Sequence, residues 1–428
     1  MLKVFKQSLK FVNVQCVSVL KTRTFLSHAY YCNEVWEQRF QDPIIEKVNL
    51  DNLYNDLEQQ YQRTRNISAV DVDVFAHGIR DESYIDELLD LLHKLRMSAD
   101  TYNTLNSMSH AVVRTLTNFN KIDQLLLTLD DRLNYGIFLD YYTANLLLDK
   151  FWKSKDYTSG ARVASQLMLQ EDFNHPISSA LSLLHCFKFL QNPSEWPQPP
   201  KPEEPEEEVK IRIKYIRNPY DDQHFDLTDP NKIVGKTLME ITRPFKDSLN
   251  HSFYLLGVTL FKPDNAQGVV DKLINDNVIV YKDVLSMIPA EKLNMLKLDT
   301  LQTESVNLDE LLENNVQNVV NKLSEKDIAL QCQTYLQWEK ERKEALANQH
   351  KRLLTMQRLA NVDKLQQDLK EKEMLLWFFE NEEKIELEIE AKKKEIEANK
   401  DQNQGVKKKQ EEEEYVPPEV HKKKDVLQ

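Results

Sequence analysis

Between Ala69 and His175 one helical pattern recurs three times at nearly constant spacing, and this periodicity constrains the fold more than any other feature. The clearest copy reads Tyr135-Gly136-Ile137-Phe138-Leu139-Asp140 and continues as Tyr141-Tyr142-Thr143-Ala144-Asn145-Leu146-Leu147, then Lys153-Ser154-Lys155-Asp156-Tyr157. An earlier core, Tyr84-Ile85-Asp86-Glu87-Leu88-Leu89, returns 37 positions on as Lys121-Ile122-Asp123-Gln124-Leu125-Leu126. A period of about 35 residues with two helices per unit belongs to a solenoid, because one such pair cannot bury its apolar face alone. The spacing predicts pairs over Ala69–Leu105, Asn106–Asp140 and Tyr141–His175. A partial fourth starts at Ile177, with Leu181, Leu184, Phe187 and Leu190 as its apolar face. Ala29 to Asn66, anchored by Trp36, Tyr54 and Tyr61, is expected to cap the array at its start. Such surfaces suit polymers or partner proteins better than a compact active site.

Composition points the same way. Seven glycines in 428 residues leave little for phosphate loops or tight hairpins, and 41% hydrophobic with 29% charged residues suits an all-α chain. The net charge of −13 argues against an autonomous nucleic-acid binder but leaves room for a local basic patch. Cys16, Cys32, Cys186 and Cys332 lie far apart and read as reduced thiols, not as a disulfide framework or zinc site. No run of eighteen apolar residues occurs, so no membrane span is expected. The first acid is Glu34, whereas Lys3, Lys6, Lys10, Lys21 and Arg23 precede it, and Leu2, Phe5, Leu9, Val12 and Cys16 follow helical spacing. A basic, acid-free, amphipathic leader over residues 1–25 reads as a mitochondrial transit peptide leading to the matrix. A secretory signal is the competing reading, although Asn13, Gln15 and Ser18 interrupt its apolar run.

Beyond the repeat region (residues 29–192), prolines and glutamates over 193–208 predict an extended linker. Val209, Ile211, Ile213 and Tyr215 alternate with Lys210, Arg212 and Lys214, the pattern of a short strand with one basic face. An acidic loop follows over Asp221 to Asp229. Helical spacing then resumes through Leu298, punctuated by Pro244, Pro263 and Pro289, so that residues 209–300 form a second, mainly helical region of three or four shorter helices. Residues 301–400 read as a long charged, solvent-facing helix or helical hairpin, or a coiled coil. From Leu308 to Asn399 there is neither proline nor glycine, and Leu336, Leu346, Leu353, Leu359, Leu365, Leu369 and Leu376 are mostly flanked by charge. The last segment, 401–428, has the composition of a disordered tail.

Catalytic chemistry finds no support in the residues. Gly235-Lys236-Thr237 ends like a P-loop, but Pro230 stands where the motif needs its first glycine. The acidic loop lacks the spacing and the glycine of a calcium-binding EF-hand. His185-Cys186 lies on an apolar helix, where a packed histidine is the ordinary explanation. No metal cluster, cofactor motif or small-molecule site is expected. Two polar sets remain as candidate RNA contacts. Lys210, Arg212 and Lys214, with Arg217 beyond, would lie about 6.5–7 Å apart along a strand, near the spacing of successive phosphates. Pairing with the neighbouring acids is the competing reading. Asn145, Lys150, Lys153 and Lys155 form the second set, for which a solvated structural face is the alternative because Asp149 and Asp156 reduce the local field.

The phrase from Tyr135 through Asp149, with Lys155-Asp156-Tyr157, resembles a degenerate pentatricopeptide repeat. That resemblance implies that Gly136 closes the second helix, Asp140 ends the unit and Asn145 takes the fifth, base-facing position of the next. Leu139 stands where the repeat usually has proline, and Asp73 and His110 occupy fifth positions with no clear base code, so shape and phosphate contact are more credible than sequence readout. More narrowly, the stretch from Phe25-Leu26-Ser27-His28-Ala29-Tyr30 through Trp36-Glu37 to Leu169-Gln170-Glu171-Asp172-Phe173 is similar to pentatricopeptide-type proteins of the mitochondrial small ribosomal subunit. The likeness is good over residues 25 to 190 and weaker beyond. It implies a non-catalytic structural subunit docked on small-subunit ribosomal RNA and neighbouring ribosomal proteins. A free RNA-processing or stability factor, or a coiled-coil scaffold, are the alternative readings.

Overall fold

The computed structural model describes residues 24–197, 227–293, 296, 298 and 301–410, with side chains described as far as residue 398. Short helices α1 (Asn33–Glu37) and α2 (Pro43–Lys47) precede α3 (Leu50–Thr64). Four helix starts then follow at the repeat spacing. The pairs are α4 (Ala69–Gly78) with α5 (Ile85–Arg96), α6 (Asn106–Asn118) with α7 (Ile122–Asp130) and the turn α8 (Arg132–Tyr135), and α9 (Tyr141–Ser154) with α10 (Tyr157–Leu169). The next first helix is α11 (Pro176–Gln191). First helices pack on first helices, α4 on α6, α6 on α9 and α9 on α11, which is the side-by-side stacking of a solenoid. An all-α repeat architecture is therefore what the chain adopts.

Local chemistry sets the boundaries. Asp140 begins α9 by accepting the Thr143 N–H on its Oδ1 at 2.6 Å. Gly136 ends α8 at φ 66°, in the left-handed region that a side chain disfavours. Asp229, the last residue of the acidic stretch, caps α12 (Pro230–Thr242) by accepting the Asn231 N–H at 3.0 Å, and Pro230 occupies the first turn.

Helix α12 packs on α10 and α11 and, most extensively, on α13 (Ser248–Phe261). The helices after Asp229 thus share one continuous core with the repeats. The P-loop-like Gly235 explains itself here. A Cβ on Gly257 would stand 2.6 Å from the Gly235 carbonyl oxygen, and one on Gly235 would stand 2.6 Å from the Leu260 Cβ. Both glycines are the contact point of two crossing helices. Then come α14 (Pro263–Asn275), the turns α15 (Lys282–Leu285) and α16 (Ala290–Leu293), and a two-residue parallel ladder. In that ladder β1 (Val280–Tyr281) pairs with β2 (Thr303–Glu304), Val280 opposite Thr303. The alternating segment Val209–Tyr215, expected as the short strand, lies outside the described residues, as do most of the leader, the linker and the tail.

Helix α17 runs over Leu308–Gln410, with non-helical dihedrals inside it at Asn381. Its first part departs from the solvent-facing helix expected from composition. Leu312, Val316, Val320, Asp327, Gln331, Trp338 and Arg342 are all buried, and the described residues up to Ala345 form one compact unit. The charge flanking these positions hides a stripe that packs. From Leu346 onward α17 counts as a second unit, where Leu353, Leu365, Leu369 and Leu376 are exposed.

Candidate functional site

In the first unit, the face presented by the first helices carries most of the buried polar residues of the repeats. Sequence places a charge inside each of three apolar runs: Asp73 between Val72 and Val74 on α4, Arg114 after Val113 on α6, Asp149 after Leu148 on α9. Each is at most 3% exposed, and such charges are tolerated only when paired or fully hydrogen-bonded. Their partners come from the two ends of the unit, the segment Phe25–Trp36 and the first part of α17.

Asp149 accepts the Phe25 and Leu26 N–H groups on Oδ1, at 3.0 and 3.2 Å, and the Tyr31 hydroxyl on Oδ2 at 2.6 Å. Lys153 completes this cluster, 2.9 Å from Asp149 Oδ2 and donating to Tyr31 Oη at 2.8 Å. Burial, with Asp149 beside it, raises the Tyr31 phenol well above its ordinary range. Arg114 donates to the Tyr31 carbonyl at 2.5 Å, to Asn33 Oδ1 at 2.7 Å and to Tyr335 Oη at 3.3 Å. Tyr30 is wholly buried, stacked on Tyr142 at 5.3 Å, and its hydroxyl donates to Asp327 Oδ2 at 3.1 Å. Asp327 also meets His175 Nε2 at 3.2 Å.

At the other end of the face Asp73 accepts Ser107 Oγ at 2.7 Å and Arg342 Nε at 2.6 Å. Trp36 sits among His77, His110 and Tyr335, with ring centroids 5.4–5.6 Å away, and the Arg39 guanidinium lies 4.1 Å over it. Burial lowers the His77 imidazole to about 3 and also lowers His110, so both are packed neutral. Burial, reinforced by Arg114, brings Arg39 down to about 9. None of this resembles an acid–base or nucleophile arrangement. The face is a polar and aromatic seam that joins three stretches of chain.

The predicted site residues fall into place unevenly. Asn145 is wholly buried: its Nδ2 donates to Tyr30 Oη at 3.0 Å and its Oδ1 accepts from Ser178 Oγ at 2.8 Å. Its amide is spent inside the protein, which corrects the expectation of a base-facing group. Lys153 serves the Asp149 cluster. Lys150 is half-buried and donates to the Thr117 carbonyl at 2.7 Å, and burial lowers its ammonium. Lys155 is exposed and ends α9 at φ 59°. The structure therefore does not gather the four into one patch. Lys210, Arg212, Lys214 and Arg217 lie outside the described residues. His185 is a packed histidine, as the sequence suggested, with Nε2 2.9 Å from the Leu148 carbonyl oxygen and its imidazole lowered by burial to about 4.

Asp73, Arg114, Asp149, Asp327 and Arg342 were not singled out as the working residues of this face. The signal was present only as charges embedded in helical runs, and their partners stand as many as 297 residues away. Among the described residues no helix is long and apolar enough to cross a membrane. A family profile described as mitochondrial 28S ribosomal protein S27 matches residues 1–370. The match spans the leader, the solenoid, the seam that closes it and the start of the second unit. The chain belongs to the mitochondrial 28S ribosomal protein S27 family.

Proposed function

We propose that this mitochondrial small-subunit protein works in the matrix as a non-catalytic structural component. It contacts small-subunit ribosomal RNA and neighbouring ribosomal proteins and so supports translation of mitochondrial messages. The observation that carries the reading is the closure of the repeat face by the chain's own segments: Tyr30, Trp36, Tyr335 and Trp338 fill the space that a base-reading solenoid would leave open. A rigid block of this kind suits phosphate and shape contact at its rim. Lys150, Lys153 and Lys155 are candidates there, together with Lys210, Arg212, Lys214 and Arg217 on the alternating segment.

The test is a sucrose gradient of detergent-lysed mitochondria, with and without EDTA. The expected result is co-migration with the small subunit in both conditions. Migration at the top of the gradient would overturn the assignment and favour a free RNA factor. Replacing Lys210, Arg212 and Lys214 by glutamate should weaken incorporation; unchanged co-sedimentation would remove that patch from the interface.

A further inference from the structure

A cleft of about 260 Å³ opens between α6, α9 and the Tyr31–Asn33 segment. Its lining is Tyr31, Asn33, Val113, Arg114, Thr117, Asn118, Thr143, Leu146 and Lys150, with two cations and not one carboxylate. Neither cation has an ion pair among the described residues. Arg114 meets neutral oxygens and the Trp36 ring, and Lys150 meets the Thr117 carbonyl. The acid beside Lys150 in sequence, Asp149, is absent from the lining and already holds two backbone N–H groups, Tyr31 and Lys153. Two positive charges line one concavity that holds no carboxylate, and burial already disfavours the charged form of Lys150, so an anion seated there is favoured.

We propose that this cleft seats one phosphate of an RNA strand, with Lys150 as its direct charged partner, the buried Arg114 guanidinium as a fixed positive charge in its wall, and the Asn33 and Thr117 side chains at its edge. A phosphodiester fits better than a protein carboxylate. The cleft is deeper than one carboxylate needs, and Val113 and Leu146 give the ribose beside the phosphate an apolar wall. An ammonium backed by a fixed guanidinium charge also suits the spread negative charge of a phosphate. The proposal rests on the RNA-contacting reading above and assigns it a place. It uses no base recognition, in keeping with the burial of Asn145.

Two measurements decide it. In the first, an iron–EDTA tether is placed at Asn118→Cys, on the exposed rim, and radical cleavage of ribosomal RNA is mapped in purified small subunits. Scission confined to one RNA locus, above that of the tether-treated unsubstituted chain, is expected. A variant that co-sediments without such scission overturns the site and leaves the ribosomal assignment standing. In the second, the purified full-length chain is titrated with a short labelled single-stranded RNA over a range of salt. Lys150→Gln should weaken binding about tenfold and flatten the log–log salt slope by about 0.7, while Lys150→Arg retains both. Equal slopes for the unsubstituted chain and Lys150→Gln, or displacement of the RNA by polyglutamate alone at equal charge, overturn the proposal. If even the unsubstituted chain stays at the top of the gradient, the ribosomal reading fails and the salt titration alone decides the cleft.

Discussion

Arg342→Met is the sharpest perturbation of the seam that closes the solenoid. Arg342 and Asp73 are 4% and 0% exposed, 2.6 Å apart, and join α17 to α4 across 269 residues. Methionine keeps the apolar stem of arginine as far as the Nε position but leaves the Asp73 carboxylate buried with Ser107 as its remaining side-chain donor. Breaking one partner of such a pair costs about 3–5 kcal/mol, which raises the population of opened α17 by a factor of about a hundred to a few thousand. Asp73→Asn should cost more, because Arg342 would then face Arg39 with its own carboxylate gone. The double variant should be less damaged than the sum of the two, by about 1–3 kcal/mol. The assay is native-state proteolysis of residues 325–345, read with tryptophan fluorescence of Trp36 and Trp338 during urea unfolding. Arg342→Met within about 0.5 kcal/mol of the parent chain, the range of an ordinary surface change, would refute the packed seam.

Gly257→Ala should destabilise the chain by about 2–3 kcal/mol, since the new methyl meets the Gly235 carbonyl oxygen at 2.6 Å and the Met239 backbone nitrogen at 2.8 Å; an unchanged urea midpoint would contradict the close crossing of α12 and α13. Acid should loosen the fold early. His77, His110 and His185 have folded-state values lowered by burial, so the unfolded chain binds more protons as pH falls below about 6.5. Each contributes a loss of up to about 1.4 kcal/mol per pH unit on the way towards the folded values, and a urea midpoint constant between pH 7.5 and pH 5 would refute this. A chain ending at Ala345 should keep the melting temperature of the first unit within a few degrees, because the apolar residues from Leu353 to Leu376 are exposed; cooperative loss of the solenoid on truncation would contradict that division.

The repeat was legible because its signals are local. Helical spacing acts within a few residues, and it located the starts of α6 and α9, the second of which the structure shows to be framed by the αL Gly136 and capped by Asp140. The occupant of the repeat face was not legible. Phe25 meets Asp149 across 124 residues and Tyr30 meets Asp327 across 297, and no periodicity spans such distances. The first part of α17 was misread for a related reason. Its buried stripe of Leu312, Val316 and Val320 continues through Asp327, Gln331 and Arg342, which composition counts as solvent-facing although each is buried against the solenoid. Gly235-Lys236-Thr237 imitated a phosphate loop because a glycine that permits two helices to touch looks, in sequence, like one that permits a loop to turn. Asn145 followed the register of its repeat, yet Tyr30 and Ser178 claimed its amide before any base could.

That last competition can be weighed. For a nucleobase to reach Asn145 it would have to displace Tyr30, which is 0% exposed, and release its bonds to Asp327 and Asn145. Returning one buried aromatic of this size to water costs about 1.5–3 kcal/mol, and each buried polar group left unpaired adds about 1–3 kcal/mol. Stacking one base on an aromatic side chain returns about 1–3 kcal/mol. The exchange loses even before Trp36 and Tyr142, which share the same packing, are disturbed. The energetics therefore close the inner face to base-by-base reading while leaving the rim open. Exposed Lys155 and the cleft at Lys150 need no such displacement, because no carboxylate lines that cleft. A solenoid that has folded its own ends into its groove has exchanged sequence readout for rigidity, and any polymer it holds must be held by charge and shape at the edge.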